Sequence, residues 1–463
     1  MLKKFIGNRA FYGRMFAVLI PILIQNTITN FVSLLDNIMV GQVGTVEMSG
    51  VSIVNQLMFV FNLCIFGGMA GAGIFTAQYF GSGDHQGVRY TFRFKLVEAV
   101  LLTAVGVGAF LLLDEALISL FLQGDGDPAA AAASLQHGKE YLRIMLVGLL
   151  PFAFTTAYSG TLREGGQTMV PMVAGISAVS VNLCFNYILI FGHFGAPALG
   201  VRGAAIATVI SRYVELLIVL LYTHLNKKSF PFAVGVYRSL HIPGKLVRSL
   251  CLKGAPLLLN EALWSVGMTT LTQCYSTRGL DVVAALNIST TVTNLTSVVY
   301  LAIGTTVGIL MGQMLGMGKP EAEVRDSNRK LLFATVAAST VMGGILASVS
   351  GVFPLIYNTT DEVKGIATGL ILIAACMMPF HSYTHSVYFT LRSGGCTGIT
   401  FVYDTCYMWS VVVLAAFLLS RLTALPILPL YVICQCLDVA KCILGFFLLR
   451  SPVWIKRLTS PVA

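Results

Sequence analysis

Residues 29–44 read TNFVSLLDNIMVGQVG and close an apolar run that begins near Met15, with one acid, Asp36, inside it. A carboxylate at the centre of a membrane helix costs about 2.5–3.5 kcal/mol on insertion scales, so Asp36 needs a function or a partner. It lies eight residues before Gly44, about 12 Å inside that end of the run at 1.5 Å per residue. Further along, Asn182 and Asn186 stand one helical turn apart, and Thr208 lies in the next apolar run. One carboxylate, two amide oxygens and a hydroxyl are hard donors. They suit Na+, or equally a hydrogen-bond cage around a proton-binding acid; the structural alternative is that the asparagines only tie helices together.

A second acid, Glu261, sits about 15 Å into a later run, five residues after Pro256. A proline lacks the amide hydrogen that the preceding turn needs, so a bend is expected there and, by the same logic, at Pro21. A bend beside an acid suits a moving part. Arg212 with Glu215, and Asp438 with Lys441, are spaced i, i+3, which predicts structural ion pairs each closed on its own helix. His381 and His385 form an i, i+4 pair without the glutamate of a zinc-hydrolase motif, so two histidines alone make an incomplete metal site. Asn26, Asn55, Gln56, Asn62, Tyr158, Gln273, Asn287 and Asn294 are the remaining polar candidates for lining a cavity.

The elements that must hold these residues follow from composition. With 56% hydrophobic and 11% charged residues, the 463-residue chain cannot hide its apolar side chains in water-soluble cores. Twelve runs are long enough to span a bilayer: 15–41, 51–80, 96–122, 142–161, 168–194, 203–224, 250–275, 284–314, 331–357, 365–391, 398–420 and 427–449. The expected fold is an all-α membrane protein. The first run is long and followed directly by another, which reads as a span rather than a cleaved leader. Lys3, Lys4, Arg9 and Arg14, Arg89, Arg93 and Lys95, Arg163, the cluster from Lys227 to Lys253, the cluster from Lys319 to Lys330, Arg392, and Arg450 to Arg457 all fall on one side of a twelve-span arrangement. The opposite loops carry Glu47, Asp125, Asp127, Asp281, Asp361 and Glu362. The positive-inside rule then puts both termini in the cytoplasm, in a plasma membrane. The net charge of +10 reads as topology with lipid headgroups as partner, not as nucleic-acid binding. Ten scattered cysteines without a CxxC pair read as small packing residues.

The chain also repeats itself. PILIQN (21–26) falls on PLLLNE (256–261), and the same offset of 235 carries QYFGSGD (78–84) onto QMLGMGK (313–319), Gly81 on Gly316. PFAFTTAYSGTLREGGQT (151–168) matches PFHSYTHSVYFTLRSGGCT (379–397) with one extra residue. Two parallel six-span repeats follow, an N-terminal lobe (1–224) and a C-terminal lobe (249–463) joined by a basic linker (225–248). Transporters of this build hold the substrate between the halves and rock them. Glu261 has Asn26 as its repeat mate, and Asp36 has Leu271, so the scaffold is duplicated while the acids are not.

The strings DNIMVGQVG, NLCFNYILIFGHFGAPALGVRGAAIATVISRYVE and LRSGGCT resemble those of multidrug and toxic compound extrusion (MATE) transporters, from about Met15 to Arg450. The resemblance implies twelve helices in two lobes around a central cavity, acting as a monomer. It implies export of small organic, amphipathic cations driven by inward Na+ or H+, with no cofactor beyond the coupling ion and no enzyme activity. It implies a cation site on Asp36, Asn182, Asn186 and Thr208, and a coupling or substrate role for Glu261. Two departures stand out. DinF-like members often carry an aspartate at the position of Asn186, and NorM-like members carry one at that of His381. The ion therefore stays open between Na+ and H+. The competing functions are a lipid-linked saccharide flippase, which would need unpaired cavity arginines or lysines, and a membrane-embedded enzyme built on His381 and His385.

Overall fold

A computed structural model describes residues 5–122 and 128–459. Lys3, Lys4, Asp125 and Asp127 lie outside the described residues. Everything regular among them is helix: α1 (Arg9–Gly41), α2 (Thr45–Ser82), α3 (His85–Leu122), α4 (Pro128–Val147), α5 (Leu149–Glu164), α6 (Met169–Phe191) and α7 (Val201–Leu225) make the first series. The second is α8 (Gly244–Ser276), α9 (Leu280–Gly316), α10 (Glu321–Val349), α11 (Asp361–Ser393), α12 (Thr397–Phe401), α13 (Leu414–Leu422) and α14 (Ile427–Arg450). Between α12 and α13 the rod continues through two π-helical stretches, Val402–Cys406 and Met408–Val413. Such widened turns concentrate at functional positions.

Ten of these helices are each long and apolar enough to cross a membrane, and the bent pair α4–α5 makes an eleventh. Span seven of the sequence reading is α8, an unbroken 33-residue helix with Pro256 inside it, matching the 33-residue α1 with Pro21 inside. The bend of 46° between α4 and α5 has a local cause. Pro151 has no amide hydrogen for the carbonyl of Val147, four residues back. The Tyr213 hydroxyl donates to that carbonyl at 3.4 Å, and Arg212 Nη1 donates to the neighbouring carbonyl of Gly148 at 3.1 Å. In the second series the corresponding span, α11, stays in one piece despite Pro379.

Contacts divide the chain into two compact units. The N-terminal unit holds Ile24–Thr76 and Asp84–Leu250; the C-terminal unit holds Met1–Leu23, Ala77–Gly83 and Cys251–Ala463. α1 thus changes unit just after Pro21, and α8 changes unit shortly before Pro256. In the C-terminal unit, Met15, Val18, Leu19 and Ile22 of α1 join one apolar core with Ala302, Val307, Tyr388 and Trp454. The repeat offset is visible in space there. A Cβ on Gly81 would fall on the carbonyl oxygen of Gln313, and a Cβ on Gly316 would fall on that of Gln78. Two helix ends therefore cross backbone to backbone, reciprocally, at positions 235 apart in sequence.

The segment after α7 packs within the N-terminal unit. Arg89 donates to the carbonyls of Pro231 and Phe232 at 3.0 and 3.2 Å, and Arg93 to those of Gly235, Val236 and His241 at 2.9–3.1 Å. The segment after α14 is held likewise: Arg325 donates to Leu449 and Arg450 carbonyls, and Trp454, 1% exposed, is buried beneath. Gln78 adds a clamp, donating to Ser393 and Lys456 carbonyls and accepting from the Leu458 amide at 2.7 Å. Arg93 and Lys95 are accordingly buried and do not face lipid headgroups as their position in the basic side suggests. Lys95, 1% exposed, makes a short ion pair with Glu164, 69 residues away, and reaches Thr161 at 3.3 Å.

Candidate functional site

The site builds up from α6. With 3.6 residues per turn, Asn182 and Asn186 stack on one face, and both are buried. Asn186 Nδ2 donates to Asp36 Oδ1 at 2.6 Å, from α6 to α1, while its own Oδ1 is buried without a partner. With its amide nitrogen toward the acid, as the surrounding hydrogen-bond network assigns it, Asn182 donates to both Asp36 oxygens at 2.8 and 3.0 Å and its oxygen accepts from Thr208 Oγ1 on α7 at 3.2 Å. Two amides and a hydroxyl thus gather around one carboxylate. Tyr141 of α4, buried, joins this group: its hydroxyl reaches Asn55 at 3.4 Å and lies within the field of Asp36 and hydrogen-bond reach of Thr208. Sequence reasoning passed over Tyr141; an aromatic in a basic-acidic stretch gives little signal.

A second polar group forms in the C-terminal unit, and it includes an acid overlooked in the sequence. Asp404, on the first π-helical stretch, accepts from Lys441 Nζ at 2.7 Å and from Asn260 Nδ2 at 3.1 Å. Thr405 donates to Asn260 Oδ1 at 2.6 Å. Glu261, next to Asn260, lies in the electrostatic field of Arg392 and Asp404. Glu261 is thus not the lone acid of its half, as the repeat comparison implies. The N-terminal unit has further acids as well, since Glu98 Oε2 on α3 is buried without a hydrogen-bond partner.

The expected i, i+3 ion pairs are replaced by longer-range partners. Lys441 goes to Asp404 instead of Asp438, and Asp438 Oδ2 lies 3.0 Å from His381 Nε2. Arg212 is spent on the Gly148 carbonyl and on the face of Phe152, 5.1 Å away, while Glu215 lies in the field of Arg163 and Arg212. A carbonyl at a helix bend and a cross-helix carboxylate are better partners here than an i+3 neighbour whose side chain must fold back. Tyr158 is a second correction. It is 1% exposed and bonds His224 Nε2 at 2.8 Å and the Tyr237 hydroxyl, so it fastens the segment after α7 and does not line a cavity. Asn55, Gln56, Gln273, Asn287 and Asn294 are exposed along their helices, Asn26 is half-buried, and Asn62 Oδ1 is buried without a partner. His385 Nε2 is buried and unpartnered too.

A duplicated set of apolar helices, with a membrane-embedded carboxylate caged by amides in one half, is the build of a secondary transporter. The MatE family model matches residues 21–188 and again 256–418, the two matches beginning 235 residues apart, and the chain belongs to that family. Family members are transporters, not enzymes. The chain is 28% identical over 304 residues to the "Probable multidrug resistance protein NorM" of Thermotoga maritima, covering 65% of this chain and 63% of the relative. It is 26% identical to the "Probable multidrug resistance protein YoeA" of Bacillus subtilis, covering 89% and 88%. Thus it spans just under two thirds of the first relative and most of the second. Among solved structures it resembles the outward-facing conformation of a MATE family multidrug transporter, with 18% identity, a TM-score of 0.84 and 99% of each chain covered. It also resembles a transporter of the same superfamily from Pyrococcus furiosus, with 17% identity, a TM-score of 0.83, and 98% and 97% covered. These likenesses carry the fold: two repeats of six helices.

Proposed function

We propose that the chain is an antiporter that exports small, amphipathic organic cations in exchange for inward Na+ or H+, working as a monomer in the plasma membrane with both termini in the cytoplasm. The observation that supports this most is the meeting of Asp36, Asn182, Asn186 and Thr208, four polar groups from three helices in an apolar setting. Asp36 is the one carboxylate among them, so the cluster balances one monovalent cation per cycle. The cluster brings together the donors that suit Na+, a carboxylate, amide oxygens and a hydroxyl, and equally amide donors that would hold the carboxylate for proton exchange. Asn186 Oδ1 still lacks a donor, which a bound cation or an acid proton would supply. Neutralising Asp36 removes the charge that opposes its burial and lets α1 repack. Glu261, with Asp404 beside it, supplies negative charge for the organic cation, and Pro21 and Pro256 lie where α1 and α8 change unit and serve as hinges.

Solved structures of MATE in complex with MaD3S and with MaL6 show that proteins of this fold bind ligands. The flippase reading has less support, because Arg212 and Lys441 are both committed, to the Gly148 carbonyl and to Asp404, and not free for a pyrophosphate. The test is uptake of a fluorescent cation into proteoliposomes under an imposed Na+ gradient or an imposed pH gradient. One gradient should drive uptake, and Asp36→Asn should abolish it. Uptake indifferent to both gradients, or undiminished in the variant, overturns the assignment.

A further inference from the structure

The C-terminal unit has a groove of about 580 Å³ between α10 and α14, within the roughly 300–1,000 Å³ of built small-molecule sites. On α10 its wall is one stripe: Arg325 and Arg329 at one end, then Phe333 and Val336 deeper in the span. From Arg325 to Val336 is about 16 Å of helix, close to one leaflet of a hydrocarbon core about 30 Å thick. α14 runs so that Arg450, its last residue, meets the arginine end, with Phe446 one turn inward. Charge and apolar surface are therefore sorted to the same ends on both walls. Phe5 closes against Phe333, ring centroids 5.9 Å apart.

The charges at the open end do not cancel. Glu321 pairs with Arg325, Glu323 with Lys319 and Asp326 with Lys330, each at i, i+4. Arg325 is further occupied by the last carbonyls of α14. Among the described residues that leaves Arg329 and Arg450 exposed with no carboxylate, Arg450 resting 4.4 Å over the Phe446 ring. Two unneutralised guanidiniums above an apolar trough match an amphipathic anion, and guanidinium forks suit phosphate oxygens. Basic pockets between membrane helices on the side rich in Lys and Arg bind acidic lipid headgroups.

We propose that this groove holds one anionic glycerophospholipid, its phosphate between Arg329 and Arg450 and an acyl chain along Phe333, Val336 and Phe446. The groove shares no residue with the ion cluster. The test is native mass spectrometry of the full chain, released from detergent and titrated with phosphatidylglycerol, phosphatidylcholine of the same chains, and inorganic phosphate. One phosphatidylglycerol should be retained at least tenfold more tightly than phosphatidylcholine, inorganic phosphate should not displace it, and Arg329→Gln/Arg450→Gln should bring it to the phosphatidylcholine level. Arg329→Gln alone, at an exposed position that leaves the α14 end intact, should give a partial loss, and Phe333→Ala should weaken both lipids. Equal retention of the two lipids, undiminished retention by the double variant, or displacement by inorganic phosphate overturns the proposal.

Discussion

Replacing Lys95 by Met removes the cation of a buried ion pair while keeping much of its volume. Lys95 is 1% exposed and Glu164 16%, so solvent screens the pair only weakly. Glu98, one turn along α3 and within the field of Lys95, already has an oxygen without a hydrogen bond. Losing the ammonium removes the cation that lies beside both half-buried carboxylates, and breaking one partner of a buried pair costs about 3–5 kcal/mol. At roughly 2 °C per kcal/mol for a large cooperative unit, the thermal midpoint in detergent should fall by about 6–10 °C. Adding Glu164→Gln removes the orphaned charge, so the double variant should recover most of the loss, with a coupling energy above about 2 kcal/mol. Differential scanning fluorimetry of wild type, both single variants and the double variant closes the cycle. Single variants within about 1 kcal/mol of wild type, or losses that simply add, would refute the claim that Lys95 is a structural cation.

Gly316→Ala should cost more than about 3 kcal/mol, read as lost folded yield by size-exclusion fluorescence, because its Cβ meets a backbone carbonyl that cannot turn away. Trp454→Ala should cost about 3–5 kcal/mol in thermal unfolding, the usual loss for emptying a buried aromatic site. Glu261→Gln should weaken affinity for an organic cation at least fivefold in a binding titration while the protein stays folded. His381→Ala should leave gradient-driven uptake intact, because the ion cluster of the N-terminal unit contains no histidine; loss of coupling there with retention in Asp36→Asn would move the coupling element to the C-terminal unit.

The repeat was legible because it is a one-dimensional signal: the offset of 235 that aligns Gly81 with Gly316 is the offset at which their helices cross. Asp36, Asn182, Asn186 and Thr208 were legible because a polar group in an apolar span stands out, and i, i+4 spacing fixes a shared face. Partnership over long separations was not. Neighbours in sequence suggested Arg212 with Glu215 and Asp438 with Lys441, whereas tertiary packing offered the Gly148 carbonyl at the α4–α5 bend and a carboxylate 37 residues away. Asp404 went unnoticed for a related reason. It sits among aromatic residues in a span whose widened turns leave no mark in the hydrophobic pattern. Tyr158 shows the converse error, since a tyrosine in a span suggests a cavity wall until the segment that covers it is placed.

The core shared by Met15, Val18, Leu19 and Ile22 with Tyr388 and Trp454 sets an order on biogenesis. This stretch of α1 meets the first of these neighbours, Ala302, only about 280 residues later and the last, Trp454, after more than 400, roughly 15–90 s of synthesis at 5–20 residues per second. Until then one face of the leading helix must be sheltered by lipid or by the insertion machinery. A polypeptide cut short before Trp454 would leave that core incomplete around α1, a defect that membrane proteases could detect far from the site of the break.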